Sequence, residues 1–583
     1  MKETTGGEIL AAMLAKEGVQ KVFGIIDGTY FGFYSSLKKF GIDLISPRHE
    51  ACALHMAGAY ARLTGKLGVA MASNGPGVAN ALAGVAVENG EGNRVLLITS
   101  TRRSGIGYPD RGGTYQYFNQ VGAIKPMAKW SGVALSFGRL PEMMRRALRL
   151  SYHGRPGVVH VDVPEDLMNG KTGAQPLLAP GRYRRVEAIC ASDEQVAVAA
   201  ELLAAAQLPM IHAGSGVIHA AAYDELRTVA ELLHAPVTTS WGGRSALPET
   251  HELAIPMTHI KLNQAVRTSA DVVLTLGSRL GETDWWGKPP YWAPAGKQKM
   301  IQVDIDEEIL GLNKPADWAI LADVKIFLAR LAEKLRPLQN KMPLTERRKA
   351  VKKFQNARNT YRQKLAAALQ DTSVPMNPAH VAQVCRRVFA DDAICVIDGG
   401  NTAVWAHFYH EARVPNTLLH TAKFGMLGAG VAQALGAAVA LPGRQVYCII
   451  GDGAMGFNLQ EIETAVRNDL KPIYLVCCDR QWGMVKINQQ FALRPVKTMV
   501  KKALPPEETI NTDFAEIQFD RLAESMGAHG ERVADPADLQ PALERCLAAN
   551  KCSVIHVDVN PVKHMWAPGL IHFKEMHREP RGR

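Results

Sequence analysis

The sequence predicts an α/β protein built of three doubly wound parallel-sheet domains, and three observations carry that expectation. The chain has 583 residues, enough for three domains of ordinary size. Short apolar runs of strand type alternate with helical periodicity along its length. Two polar stretches interrupt the alternation: 173–190 (GAQPLLAPGRYRRVEAIC), which carries the Pro and Gly of a linker, and 337–374, whose Lys, Arg and Gln at helical spacing read as a solvated connecting helix. The expected domains are therefore 1–172, 191–336 and 375–583.

Composition narrows the function classes. With 47% hydrophobic and 21% charged residues the chain has ample material for cores. The net charge of +11 is spread through mixed-charge helices, so a nucleic-acid partner is not expected. Nine cysteines occur without a CxxC pair, which suits free thiols of a reducing compartment. The first residues, MKETTGGEILAAMLAKEGV, read as an amphipathic helix and no apolar run reaches membrane length, so the expected location is cytoplasmic, without a membrane partner.

In chain order, the first domain should hold a helix over 6–17, strands over 21–25, 68–72, 94–99 and 158–163, and a helix after Arg48. The second should hold strands over 209–212, 236–239, 272–276 and 300–303, with turn glycines after two of them. The third opens near 375 with a strand over 393–397 ending in Asp398-Gly399-Gly400-Asn401-Thr402.

The most informative stretch is 445–484, QVYCIIGDGAMGFNLQEIETAVRNDLKPIYLVCCDRQWGM. An apolar strand over 445–450 stops at Gly451-Asp452-Gly453, a helix is expected over 458–468, and a second apolar strand over 473–478 ends at Asp479. Right-handed crossover makes the two strands parallel, which puts Asp452 and Asp479 at carboxyl ends, where open α/β sheets bind ligands. Two acids there suit Mg²⁺, and the glycines and helix start suit a diphosphate. Gly-Asp-Gly alone is an ordinary turn; the β-α-β context gives it meaning.

This stretch resembles the cofactor motif of thiamine diphosphate enzymes, and the chain as a whole resembles their acetolactate synthase-like group. The resemblance implies pyrimidine-binding, central and diphosphate-binding domains. It implies metal ligation by Asp452, Asp479 and the carbonyl of Gln481, with Gly453, Ala454, Gly483 and Met484 beside the cofactor. One departure stands out: the family motif ends in Asn-Asn, and here those positions are Cys478-Asp479. A second stretch, ISPRHEACALHMAGAYARLTGKLGVAMASNGPGVANALAG, resembles the pyrimidine-binding domain, and places Glu50 on the catalytic glutamate and Pro76 and Asn80 at the cofactor's border. GGTYQYFNQVGAIKPMAKW places Gln116 near the reacting carbons. Asn401 and Thr402 fall at the diphosphate, Gly425 at the carbonyl that accepts from the 4′-amine, and Leu427 at the apolar wedge under the bent cofactor. Asp27 stays open between an acid-base group and a turn residue, and His49 and His55 read as structural histidines before catalytic ones.

The implied activity is a carbon–carbon lyase or ligase that decarboxylates a 2-oxo acid, pyruvate first, and joins the remaining unit to an acceptor. Alternatives are a sulfoacetaldehyde acetyltransferase-like enzyme, suggested by RQWGMVKIN and Phe424-Gly425, a 2-hydroxyacyl-CoA lyase or oxalyl-CoA decarboxylase-like enzyme, and, more remotely, a non-catalytic cofactor-binding protein. Asn488 replaces the Trp of the biosynthetic synthases, and their Gly-Met-His-Gly segment is absent near 255–260. The small-molecule substrate is thus a 2-oxo acid, aldehyde or acyl compound. The implied assembly is a homodimer or homotetramer. FAD in the central domain is allowed but not favoured over a purely structural role. The tail MWAPGLIHFKEMHREPRGR either covers the site or caps its domain.

Overall fold

The computed structural model describes residues 3–107, 112–173 and 175–570. Strands form where apolar runs are covered by helices on both faces, and they pair in parallel because helices connect them. The first part of the chain holds β1 (Glu3–Thr5), β2 (Lys21–Gly24), β3 (Asp43–Ile45), β4 (Gly68–Ala72), β5 (Val95–Thr101), β6 (Trp130–Val133), β7 (Val158–Pro164) and β8 (Lys171–Gly173). Six of them form a parallel sheet in the order β3-β2-β4-β5-β7-β6, while β1 and β8 pair antiparallel. Every residue of β4, β5 and β7 is buried, as expected of central parallel strands.

The central part repeats the plan with β9 (Pro209–Ala213), β10 (Val237–Thr239), β11 (Val272–Leu276), β12 (Lys299–Asp304) and β13 (Trp318–Leu321), ordered β10-β9-β11-β12-β13. The last part holds β14 (Ile394–Asp398), β15 (Leu418–Leu419), β16 (Val446–Gly451), β17 (Ile473–Cys478), β18 (His529–Val533) and β19 (Ser553–Asp558), ordered β15-β14-β16-β17-β19-β18. All pairings in both sheets are parallel. Among the described residues no helix is long and apolar enough to cross a membrane.

The first and last sheets share one core. The helix Glu50–Thr64 packs along the helix Ala429–Ala440, both rich in Ala. Gly436 permits the approach: a Cβ there would lie 2.5 Å from the Met56 carbonyl oxygen.

The stretch 337–374 forms a largely solvated connecting helix, as expected, with Arg347, Val351 and Arg358 buried. Its helix, Leu344–Ala366, buries Arg347, whose guanidinium donates to the carbonyls of Leu203, Ala204 and Ala206 and of Leu233. Those are the closing carbonyls of two helices of the central part, Asp193–Ala205 and Tyr223–Leu233, which otherwise lack donors. Arg358 donates instead to carbonyls of a turn, those of His251 and Ala254. Two of the basic residues here are thus buried cations that satisfy carbonyls of the central part.

A buried polar chain inside the first sheet reaches toward Pro76. Asp162, 1% exposed, accepts from Thr99 Oγ1 at 2.6 Å and Gln120 Nε2 at 3.0 Å. Gln120 in turn accepts from the Gly75 amide at 2.8 Å, and Asn74 donates to the Gln116 carbonyl at 3.1 Å. Burial pushes the Asp162 carboxyl up to about 7, against about 3.9 for an unfolded Asp. The folded chain therefore binds the extra proton between those values, and this group's contribution to stability falls as pH rises from about 4 to about 7. Asp162→Asn, which needs no ionisation, should unfold at a higher temperature than the parent at pH 8, by about 2–4 °C for each kcal/mol recovered, and should lose that advantage near pH 4. Thermal melts of both at the two pH values check this; parallel pH profiles would exclude an ionising Asp162.

Candidate active site

The carboxyl ends of β16 and β17 bring two acids together. The strands are neighbours, with Gly451 opposite Cys477, so Asp452 and Asp479 follow on adjacent strand ends. Both are buried, at 9% and 7% exposure. Asp452 accepts from the Gly453 and Arg480 amides, each at 2.7 Å. Burial and the neighbouring Asp479 push its carboxyl up to about 6. The helix expected over 458–468 starts earlier, at Asp452 itself, runs to Asn458, and resumes as Glu461–Arg467. An acid at the first helical position is stabilised by the helix dipole, a preference the apolar periodicity alone did not register.

Around this pair the backbone forms a cradle. Asn401 and Thr402 open the helix Asn401–Tyr409, and both amide atoms of Asn401, Nδ2 and Oδ1, are buried without a partner. Gly483 and Met484 open the helix Gly483–Leu493. A Cβ at Gly483 would lie 2.9 Å from Asn401 Nδ2, and one at Gly453 would lie 2.6 Å from the Trp482 ring. Ala454 is buried against the same helix start. Two adjacent carboxylates, an unsatisfied amide and closely approaching backbone fit a divalent cation with a diphosphate, since Mg²⁺ shares protein oxygens with phosphate. The Gln481 carbonyl accepts from the Gly483 amide at 2.9 Å.

One residue of this half escaped the sequence reading. His564, from the short helix Pro561–Met565, places Nδ1 2.6 Å from Asp479 Oδ2 and Nε2 3.0 Å from Thr402 Oγ1. A single His in VKHMW has no ligand spacing. The one available signal was the acid at 479, which calls for a donor the family's Asn does not need.

The other half lies on the first sheet. Glu50 is the first residue of the helix Glu50–Thr64, 8% exposed, and its Oε2 accepts from Asn80 Nδ2 at 3.0 Å. Pro76 opens the helix Pro76–Glu91, and Gly77 leaves room for Glu50: a Cβ there would lie 3.2 Å from Oε1. Gln116 is exposed, with φ of 53°, held by Asn74 at its carbonyl. Asp27 caps the turn at Gly28, accepting from the Thr29 amide at 2.9 Å, so its geometry is that of a turn residue. His55 is paired with Glu88 at 2.7 Å inside the core.

The third group sits elsewhere along the same helix. Gly425, at φ of 66°, and half-buried Leu427 follow Phe424, whose amide donates to Glu91. Phe424 packs on Gly90, whereas Glu50 packs on Gly77. Thirteen residues of helix separate those glycines, about 20 Å at 1.5 Å per residue. Within one chain, Glu50 and the Gly425–Leu427 loop therefore do not meet.

A cavity of about 480 Å³ opens where the three parts adjoin, lined by Arg155, Ser215, Trp241, Arg279, Asp304 and Lys423 among others. Burial, then Arg279 and Arg155, push the Lys423 amine down to about 7. The turn glycines Gly214 and Gly277 approach within van der Waals contact here, since a Cβ on Gly214 would lie 2.2 Å from the Gly277 carbonyl oxygen. The central domain thus has space for a ligand of nucleotide size as well as a structural role.

Comparison with known proteins agrees with the three-domain fold. Residues 4–123 match the N-terminal TPP binding domain of thiamine pyrophosphate enzymes, 196–331 their central domain, and 398–557 their C-terminal TPP binding domain. Among similar proteins, the acetolactate synthase large subunit of Parasynechococcus marenigrum is 30% identical, covering 95% of this chain and 87% of its own length. Acetolactate synthase isozyme 3 large subunit of Escherichia coli is 28% identical, over 97% and 96%. A probable acetolactate synthase large subunit of Methanococcus aeolicus is 26% identical, over 95% and 92%. With all three domains matched in order and a relative 30% identical over 95% of its length, the chain belongs to the thiamine pyrophosphate enzyme family.

Proposed function

We propose that the chain is a Mg²⁺-dependent carbon–carbon lyase or ligase that decarboxylates a 2-oxo acid, with pyruvate as donor, and passes the remaining unit to an acceptor. The observation that carries this reading is the buried Asp452–Asp479 pair beside the partnerless amide of Asn401. Asp452, Asp479 and the Gln481 carbonyl would hold the metal, and Asn401 and Thr402 the diphosphate, with Gly453 and Gly483 leaving room for it to approach the backbone. Bound thiamine diphosphate supplies the nucleophilic carbon and the electron sink. Glu50 would hold a proton at the aminopyrimidine N1′, oriented by Asn80 and shielded from water by burial. Trp482, packed edge-on against Phe514, with Leu427 and Met484, supports a compact apolar surface for a small donor. Asn488, exposed on the helix Gly483–Leu493, replaces a bulky aromatic and supports an acceptor other than 2-ketobutyrate. Glu50→Gln should retain cofactor binding and lower turnover of pyruvate by about 10²–10⁴-fold, measured by CO₂ release. Parent-like turnover would remove Glu50 from the proton path.

The site is shared between two copies in this reading, because the separation along Pro76–Glu91 keeps Glu50 apart from the Gly425–Leu427 loop of its own chain. Glu50 of each chain would serve the Asp452 half of the other. Co-expressed Glu50→Gln and Asp452→Asn chains, each inactive alone, should then recover roughly a quarter of parental activity, since half of randomly formed dimers carry one intact site of two. No recovery in isolated mixed dimers would place both halves in one chain.

The central cavity supports an adenine dinucleotide or diphosphate, FAD included, with Arg155, Arg279 and Lys423 at the phosphates and Asp304, at the end of β12, at a ribose. Heat-denatured protein should release a 260-nm chromophore, with 450-nm absorbance if it is a flavin. A clean supernatant, with no rise in melting temperature on adding ADP or FAD, would count against an occupant.

A further inference from the structure

We propose that His564 is a positioning residue for Asp479, matched to the acid that replaces the family's amide. This rests on the reading of Asp479 as a metal ligand. The imidazole Nδ1 lies 2.6 Å from Asp479 Oδ2, and Gln481 Nε2 lies 3.0 Å from the same oxygen. Both bonds fall on Oδ2 and leave Oδ1 for a metal. A carboxylate has two oxygens and can serve an imidazole N–H and a cation together. An amide has one oxygen, so an Asn at 479 would give it to the metal and turn its NH₂ toward the ring. The Asp and the His therefore belong together, and each alters what the other is for.

The ring is held firmly enough for that task. His564 and Asp479 side chains are only 4% and 2% exposed. The far nitrogen, Nε2, meets Thr402 Oγ1 at 3.0 Å, which ties the ring to the start of the helix Asn401–Tyr409. The helix Pro561–Met565 is capped by Asn560, whose side chain accepts from the amides of Val562 and Lys563. The His564 carbonyl accepts from Trp405 Nε1 at 2.9 Å, and the Pro561 carbonyl accepts from Gln481 Nε2 at 2.9 Å. Lys563 is anchored to Asp371 at 2.5 Å. With its orientation fixed from both sides, the imidazole sets the rotation of the carboxylate that faces Asp452. Hydrogen-bond partners of metal-ligating carboxylates typically govern metal affinity by 10–100-fold.

The test is a double-mutant cycle on the full chain, with the Mg²⁺ dissociation constant measured at saturating thiamine diphosphate by isothermal calorimetry. His564→Ala should raise that constant about 10–100-fold in the parent and less than about threefold in the Asp479→Asn background. His564→Gln, whose amide can still donate, should recover part of the loss. Melting temperatures of the metal-free chains separate positioning from general damage, and where His564→Ala fails to fold, His564→Gln and His564→Asn carry the comparison. Equal losses in both backgrounds, or less than a threefold change in the parent, would overturn the proposal. Asp452→Ala separates this failure from that of the metal site: if it too leaves Mg²⁺ binding unchanged, the metal reading falls, and if it abolishes binding while His564→Ala does not, only the positioning role falls.

Discussion

Two negative charges on adjacent strand ends are the constraint around which the last domain is arranged. A parallel sheet delivers Asp452 and Asp479 side by side because its strands point the same way and are joined by a right-handed crossover. Buried like charges repel strongly unless donors or a cation answer them. The protein answers Asp452 with the amides of Gly453 and Arg480, and Asp479 with Gln481 and His564. Burial raises the proton affinity of Asp452 most, and next comes that repulsion. A divalent cation would remove it, so local burial and metal binding are two sides of one electrostatic problem.

The same economy of donors appears away from the site. Arg347 gives its guanidinium to the carbonyl ends of central-domain helices and Arg358 to carbonyls of a turn, and Glu461 accepts from the Arg48 amide at 3.0 Å. The last contact joins the first domain to the third beside Glu50, as does the close packing of Glu50–Thr64 on Ala429–Ala440. That interface fixes Glu50 at one end of Pro76–Glu91 and the Phe424–Gly425 loop at the other. A rigid helix thus sets the spacing between Glu50 and that loop, and this spacing is the ground for the proposed second copy.

The central domain holds a different kind of information. Its strands and glycine turns suggested only a generic nucleotide-type fold, which many unrelated functions share. The cavity gathers Arg155 from the first domain, Arg279 from the second and Lys423 from the third. Sequence separation hid that convergence, since no local spacing connects three cations drawn from distant segments.

What the sequence alone determined was local. Central strands such as Gly68–Ala72, Val272–Leu276 and Ile473–Cys478 stood out because burial on both faces demands unbroken apolar runs, and the two acids stood out because each ends such a run. Edge strands Asp43–Ile45, Trp130–Val133 and Leu418–Leu419 left no such trace, being short and partnered on one side. Part of the tail, 571–583, lies outside the described residues. Tertiary structure alone decided that His564 meets Asp479, that Asn401 keeps an unsatisfied amide, and that Glu50 and Gly425 stand a helix length apart. Periodicity reports which face of an element is buried; which distant side chain fills the remaining hydrogen bond is set by packing between elements, and that is not written in any single stretch.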